Sequence, residues 1–232
     1  MKQNPVELTP SELLGELNEV ERKFAPKSLF VAGNADILNQ RPRVSIVGIR
    51  KASTEGVLRA KKLARLVVER GGVVVSGLAM GIDTAAHTSA IAAKGFTVAV
   101  IGTPLNEVYP KENANLQRLI QENHLCISQF PVGYPTQPKN FPMRNRTMAL
   151  ISDATVIVEA ADGSGSISQA WEALRLGRGL FISQSLVKNA SLTWPQEVMA
   201  YGAEVLSDDS IEEFFDSLPT RISPMEMNVI PI

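Results

Sequence analysis

The chain has 232 residues, of which 44% are hydrophobic and 20% charged. At roughly 100–200 residues per domain, that length allows one large domain or one domain with a small appendage, and the apolar content excludes wholesale disorder. Lys and Arg number 23 and Asp and Glu 24, a formal net charge of -1. A protein that coats nucleic acid by neutralising phosphate over its whole surface is thereby excluded, while a local basic cleft is not. One cysteine, Cys126, and two histidines, His87 and His124, provide neither a disulfide framework nor a Cys/His zinc cluster. No apolar run approaches the ~18 residues of a membrane span, and the N-terminus MKQNPVELTPSELL lacks the apolar core of a signal peptide. The expectation is a soluble cytoplasmic protein without membrane contact.

In chain order, Thr9-Pro10-Ser11-Glu12 has the form of a capping box with proline at the first helical position. Leu13, Leu14, Leu17, Val20 and Phe24 follow at helical spacing, so one helix is expected, ended by Pro26 and docked on the main body or on a partner. From Arg43 onward, short β-branched runs alternate with helical stretches. The expected strands are 44–48, 73–77, 96–102, 125–128, 154–160, 179–183 and 203–207. The expected helices lie near 54–70, 82–94, 112–123, 166–176, 194–201 and 209–217. Gly71, Gly95, Gly177 and Gly202 each follow a helix, where a left-handed cap favours glycine. The strands are continuously apolar, as when both faces of a parallel sheet are covered. This alternation predicts an α/β fold: a doubly wound, mostly parallel sheet, Rossmann-like, with a short N-terminal helix. The expected division is an N-terminal helical segment over 1–26, the main domain over 27–218 and a tail over 219–232. Residues 129–142 hold four prolines and no periodicity, which marks a long ordered loop or a flexible arm.

Ligands of an open parallel sheet bind beyond the carboxyl ends of its strands, and three glycine-bearing turns would meet there. They are Gly48-Ile49-Arg50-Lys51, Ser76-Gly77-Leu78-Ala79-Met80-Gly81 and Asp162-Gly163-Ser164-Gly165-Ser166. Each offers backbone N–H groups at a helix N-terminus, which favours a phosphate-bearing ligand. The dinucleotide and P-loop fingerprints are both absent. Arg50 directly follows a strand and is expected to face the crevice. Lys139, Phe141, Arg144, Asn145 and Arg146 form a compact set at the mouth of a helix. Arginine gives planar donors for phosphate, and Phe141 is either a hydrophobic plug or a platform for an unpaired base. Between 41 and 70 there are nine Lys/Arg against two acids, and between 203 and 216 six acids and no base. The basic run includes Arg59 to Arg65, which also reads as a solvated helix face. Ser76, Asp83 and His87 could be imagined as a catalytic triad, but a simpler reading is an Asp83–His87 hydrogen bond that fixes the turn. Cys126 reads as an inert core residue.

At these motifs the chain resembles the DprA/Smf DNA-processing family. Ser76 through His87 looks like that family's signature, and four companions follow in its order: Val47-Gly48-Ile49-Arg50, Val108-Tyr109-Pro110, Asn140 through Arg146, and Gly163 through Ser166. The resemblance covers roughly residues 27–207. It implies an extended Rossmann-like domain that binds single-stranded DNA, forms a homodimer and helps load a RecA-type recombinase on incoming DNA during natural transformation. It further implies that Arg50 holds a phosphate beside the Gly48 turn, with Lys51 next to it, and that donors around Ser76, Gly77 and Gly163–Ser166 complete the pocket. Lys139, Arg144, Asn145 and Arg146 would line the strand's path, with Phe141 near the bases; no catalytic residue and no cofactor is implied. Ile49 stands where the family usually has serine or threonine, and Met80 where it often has arginine. The winged-helix and helical N-terminal domains of many members are not expected in this length. Two alternatives use the same pocket: a sensor for a nucleotide-derived ligand, and a nucleoside-monophosphate phosphoribohydrolase of the same superfamily. The latter's glutamate falls at Gln169, a neutral amide that cannot serve as a general base; Glu172 is the nearest acid in that helix.

Overall fold

The computed structural model describes residues 5–40 and 42–219. Arg41 and almost all of the expected tail lie outside the described residues. In chain order the elements are β1 (Val6–Leu8), α1 (Pro10–Leu14), α2 (Glu19–Phe24), β2 (Leu29–Gly33), β3 (Arg43–Gly48), α3 (Thr54–Glu69), β4 (Val73–Ser76), α4 (Ile82–Ala92), β5 (Phe96–Ile101), α5 (Ala114–Asn123), β6 (Leu125–Ser128), α6 (Asn140–Ile151), β7 (Ala154–Glu159), α7 (Gly165–Arg175), β8 (Gly179–Ser183), α8 (Gln184–Val187), α9 (Trp194–Ala200), β9 (Glu204–Leu206) and α10 (Ile211–Asp216). The strands form one sheet in the order β1-β2-β6-β5-β4-β3-β7-β8-β9. From β6 to β9 all pairings are parallel. β2 alone runs against the rest, antiparallel to both β1 and β6, with Phe30 standing opposite Ser128 in the β2–β6 register.

Alternate residues of each central strand enter opposite cores, which explains the unbroken apolar runs. Val73, Val75, Val98, Val100 and Ile157 pack on the side of α6, α7 and α9. Val44, Ile46, Val74 and Val156 pack on the side of α3, α4 and α10. The strand order reverses at β3: the chain leaves it through α3 to β4 on one side, and later returns through α6 to β7 on the other. A ligand crevice is expected at that switch point, beyond Gly48 and Glu159.

The N-terminus differs from the single helix that the apolar spacing predicts. Thr9 and Glu12 do make the capping box, but α1 stops at Gly15, which adopts φ 87°, and a second box from Asn18 and Glu21 starts α2. A left-handed glycine cannot continue a helix, so Leu17 is buried while Val20 is exposed. The preceding β1 then joins the sheet edge through β2. The proline-rich stretch before α6 is an ordered loop: the Thr136 hydroxyl donates to Glu107 Oε2 (2.6 Å), and Tyr134 N donates to the Pro131 carbonyl (3.0 Å).

The basic run of α3 faces the acidic end of the chain. Lys62 reaches Asp208 at 2.7 Å, and Arg70 pairs with Glu212. Arg43 is buried against Asp153 (3.1 Å). Part of the segregated charge is therefore paired within the molecule. No helix among the described residues is long and apolar enough to cross a membrane, and these residues hold no cluster of metal ligands.

His87 lies wholly buried on α4, its Nδ1 2.7 Å from the Thr97 hydroxyl, and burial pushes its imidazole down to about 3. The unfolded chain takes up this proton near the ordinary value of 6.5, so the stability that depends on a neutral His87 is complete above that pH and falls as pH drops toward 3. At pH 5 the loss from this group should be about 2 kcal/mol. Urea unfolding of the wild-type chain and of His87→Gln measures it: the variant should show a smaller loss on acidification, and equal losses would refute the assignment.

Candidate nucleic-acid interface

The carboxyl ends of β3 and β7 open into a cavity of about 440 Å3. Gly48 closes β3 where a Cβ would lie 2.6 Å from the Ile82 side chain and 2.7 Å from the Glu159 carbonyl, so only glycine lets the strands and α4 meet. Ile49 N donates to the Glu159 carbonyl (2.8 Å), which aims the chain so that Arg50 and Lys51 stand exposed on the lip.

Two of the three glycine turns are already filled by the protein's own carboxylates. At the first, Glu159 accepts from Ser53 N (3.1 Å) and from the Ser53 hydroxyl (2.8 Å), capping α3. Gly56 makes room for it, since a Cβ there would fall 1.8 Å from Oε2. At the second, Asp83 Oδ2 accepts from Gly77 N (3.1 Å) and Ala79 N (3.3 Å). The Ser76 hydroxyl is buried and donates to the Ile46 carbonyl (2.7 Å), so Ser76 holds strands together and does not reach the cavity. Leu78, wholly buried, adopts φ 57°, a strained conformation for a branched side chain, and Asn113 Nδ2 holds its carbonyl at 2.9 Å.

The third turn is open. Ser164 caps α7, its hydroxyl 2.5 Å from that of Ser166, and Gly163 supplies φ 74°. A Cβ on Gly165 would meet nothing within 4 Å, so the turn faces free space. Asn145 Nδ2 pins it by donating to the Gly165 carbonyl (3.0 Å). A helix N-terminus capped only by its own serine and free of any carboxylate, opposite Arg50 and Lys51, is fit to take a phosphate.

Arg144 lies beneath the crevice, 6% exposed, with Nη1 donating to the Val100 carbonyl (2.9 Å). Burial lowers its guanidinium from the ordinary value, and the nearby Asp83 charge opposes that shift. Burial raises the Asp83 carboxyl, while Arg144 and backbone N–H groups of Ala79, Gly77 and Gly48 pull it back. A smaller cavity of about 70 Å3 adjoins, between Met80, Tyr109 and Phe141. There the Arg50 guanidinium lies 6.0 Å from the Tyr109 ring centre and 5.7 Å from that of Phe141, and the two rings are 5.2 Å apart. Phe141 is both plug and wall: one side seats on Gly102, where a Cβ would lie 2.8 Å from the ring, and it lines both cavities.

The predicted residues thus divide. Gly48, Arg50, Lys51, Phe141, Arg144, Asn145 and Gly163 to Ser166 come together around the main cavity, and Gly77 lines the small one. Lys139 is exposed at the start of α6 and lines neither. Arg146 lies on the other flank of α6, 3.4 Å from Glu172. Tyr109, 45% exposed, was visible in the sequence only as part of a motif; nothing local marked it as a partner for Arg50. The imagined triad does not exist: Ser76, Asp83 and His87 each bond elsewhere. Asp83 does fix the turn, but through backbone N–H groups, His87 being paired with Thr97. Cys126 is buried core, its thiol pushed up to about 12 by burial. Gln169 is buried, and with its amide oriented to satisfy the surrounding network its nitrogen donates to the Asn145 carbonyl (2.7 Å). It therefore braces the site.

A family model, DNA recombination-mediator protein A, matches residues 10–218. The DNA processing protein DprA of Bacillus subtilis is 33% identical over 196 residues, covering 84% of this chain and 65% of the relative. Two solved structures are similar throughout. The X-ray structure of DprA from Streptococcus pneumoniae has a TM-score of 0.77 at 32% identity, covering 91% of this chain and 75% of that one. A structure of DNA processing protein A from Helicobacter pylori, described for its single-stranded DNA binding mode, has a TM-score of 0.76 at 26% identity and covers 94% and 97%. A doubly wound sheet with a phosphate-ready switch point, matched along nearly its whole length, places the molecule: the chain belongs to the DprA/Smf family of DNA-processing proteins. It spans about two thirds of the length of the Bacillus subtilis relative.

The packing of Arg144 makes a direct prediction. A Cβ on Gly77 would fall 1.5 Å from Nη1. Gly77→Ala should therefore expel the guanidinium and lower stability by about 3 kcal/mol, as when a buried charge loses its partners. Denaturant unfolding reads the loss, and a change below about 0.5 kcal/mol, the range of neutral surface substitutions, would contradict the packing.

Proposed function

We propose that the chain binds single-stranded DNA at the β3/β7 crevice without cleaving or altering it. A phosphate sits between the open N-terminus of α7 and the Arg50–Lys51 lip, and a neighbouring unpaired base packs on the exposed Tyr109–Phe141 pair. The observation that carries this reading is the Arg50 guanidinium poised over two aromatic rings beside the one unfilled glycine turn. Cation and ring are the two elements that single-strand binders combine, and a base buried in a duplex cannot reach such a ring. The relative from Helicobacter pylori, described for its single-stranded DNA binding mode, supports the choice of ligand.

The family's description as a recombination mediator supports the finer reading. Bound strand is handed to a RecA-type recombinase in the cytoplasm, as in uptake of DNA during natural transformation, by a homodimer. Against a hydrolase stands Gln169 in the place of the acid, and Glu172 is held by Arg146 and Arg175 away from the crevice.

Fluorescence anisotropy with labelled oligonucleotides across a salt series tests the binding. Single strands should bind more tightly than duplex of the same sequence. Arg50→Ala should weaken binding at least about tenfold and flatten the salt slope by about 0.7, the value for one phosphate contact on a single strand. Phe141→Leu and Tyr109→Leu should each cost about 1–3 kcal/mol, the range for one stacked base, with the salt slope unchanged. Equal affinity for both nucleic acids, or an Arg50→Ala protein that binds as the wild type does, would sink the proposal.

A further inference from the structure

Helix α6 presents two flanks, and the crevice uses one. Phe141, Arg144, Asn145 and Met148, spaced i, i+3, i+4 and i+7, line the main cavity. Met143, Arg146 and Thr147 form the next flank and line a separate cleft of about 470 Å3, closed opposite by the segment that runs from α2 into β2. We propose that this cleft is a second nucleotide subsite, which takes a base and a phosphate of the same strand after it has crossed the start of α6. The inference rests on the crevice being a single-strand site.

The chemistry of the walls supports it. Arg146 touches Glu172 only through long contacts, Nε and Nη2 each at 3.4 Å, and its Nη1 has no acceptor among the described residues. Glu172 is shared with Arg175 (3.3 Å), so one carboxylate faces two guanidiniums and positive charge is left over. Both guanidiniums lie over the Phe24 ring, at 5.8 and 5.0 Å, which holds the Arg146 plane in place. Across the cleft Lys27 is exposed and has no ion-pair partner among the described residues. Phe30 is half-buried and Met143 38% exposed, which gives apolar surface for a base. Gln129 adds a donor for a base edge: its Oε1 accepts from the Thr147 hydroxyl (2.5 Å), which leaves the amide nitrogen free. Glu7 is the one acid on the rim, where it can accept from an exocyclic amine. Lys139, exposed as the N-terminal cap of α6, stands where the two flanks begin and can hold the phosphate between the subsites.

The test uses the intact chain and oligothymidylates of about 4 and about 12 nucleotides, lengths at the short and long ends of single-strand site sizes. Lys27→Ala and Met143→Ala should each weaken the longer oligomer about tenfold or less. Both should leave the shorter one unchanged, and Lys27→Ala alone should flatten the salt slope by about 0.7. Photocrosslinking of a bromodeoxyuridine-labelled long oligomer should mark the peptide that carries Phe30 or Met143. If both oligomers lose affinity alike, if neither does, or if only a protein occupies the cleft, the second subsite is overturned while the crevice stands. If the wild-type chain binds neither oligomer, the crevice reading fails and the subsite with it.

Discussion

The guanidinium of Arg144 is the contact around which the crevice is organised. A buried cation is costly unless it is hydrogen-bonded and faces opposite charge, and Arg144 draws these from different parts of the chain. Val100, at the end of β5, gives a carbonyl; Asp83, at the start of α4, gives charge; Gly77 gives the space that a side chain would remove. The same Asp83 closes the strained turn at Leu78 by accepting from Gly77 and Ala79. One ionic arrangement therefore fixes β5, the second glycine turn and the first two turns of α6 relative to one another. Phe141 and Asn145 ride on that helix, so the aromatic wall and the brace of the third turn inherit their positions from it.

Helix N-termini attract anions wherever they occur, and what distinguishes them here is occupancy. Glu159 and Asp83 already supply the negative charge at the starts of α3 and α4. Of the three glycine turns, the one that starts α7 takes no carboxylate of the protein, and it faces free space opposite Arg50 and Lys51. Under the proposed reading a ligand phosphate is directed to one place out of three, and the other two turns serve as rigid framework. The same economy holds on the surface, where Lys62 of α3 and Arg70 just beyond it pair with Asp208 and Glu212.

The fold was legible because its signal is local. Strands β3 to β8 are largely buried, mostly apolar runs, and each of β3 to β9 falls at the position that the pattern predicts, although β9 itself is half-exposed. The strands β1 and β2 were missed, being three and five residues long and without alternation. The site was legible as a set of residues and not as an arrangement. The carboxylate that fills the first turn comes from Glu159, which lies 106 positions from Ser53. No local pattern announces such a partner. Arg144 and Arg146 read as equivalent in the sequence, yet two residues along a helix is a turn of about 200°, so one is buried beneath the crevice and the other faces the opposite cleft.

The near-neutral net charge and the arginine placement both fit the proposed single-strand binding. A surface of uniform positive charge would bind duplex and single strand alike, because both present phosphate. Arg43, Lys62, Arg65 and Arg70 are paired with acids of the chain, whereas Arg50 and Lys51 stand exposed on the crevice lip, with the Arg50 guanidinium beside Tyr109 and Phe141. A strand that meets those cations gains fully only if it can also offer an unpaired base to the rings, which duplex cannot do without unstacking. On the proposed reading, selectivity for single strands comes from coupling a modest charge to an aromatic surface. A net charge of -1 over the whole chain keeps the long-range pull on any phosphate weak, so under that reading the coupling at the crevice decides which nucleic acid stays bound.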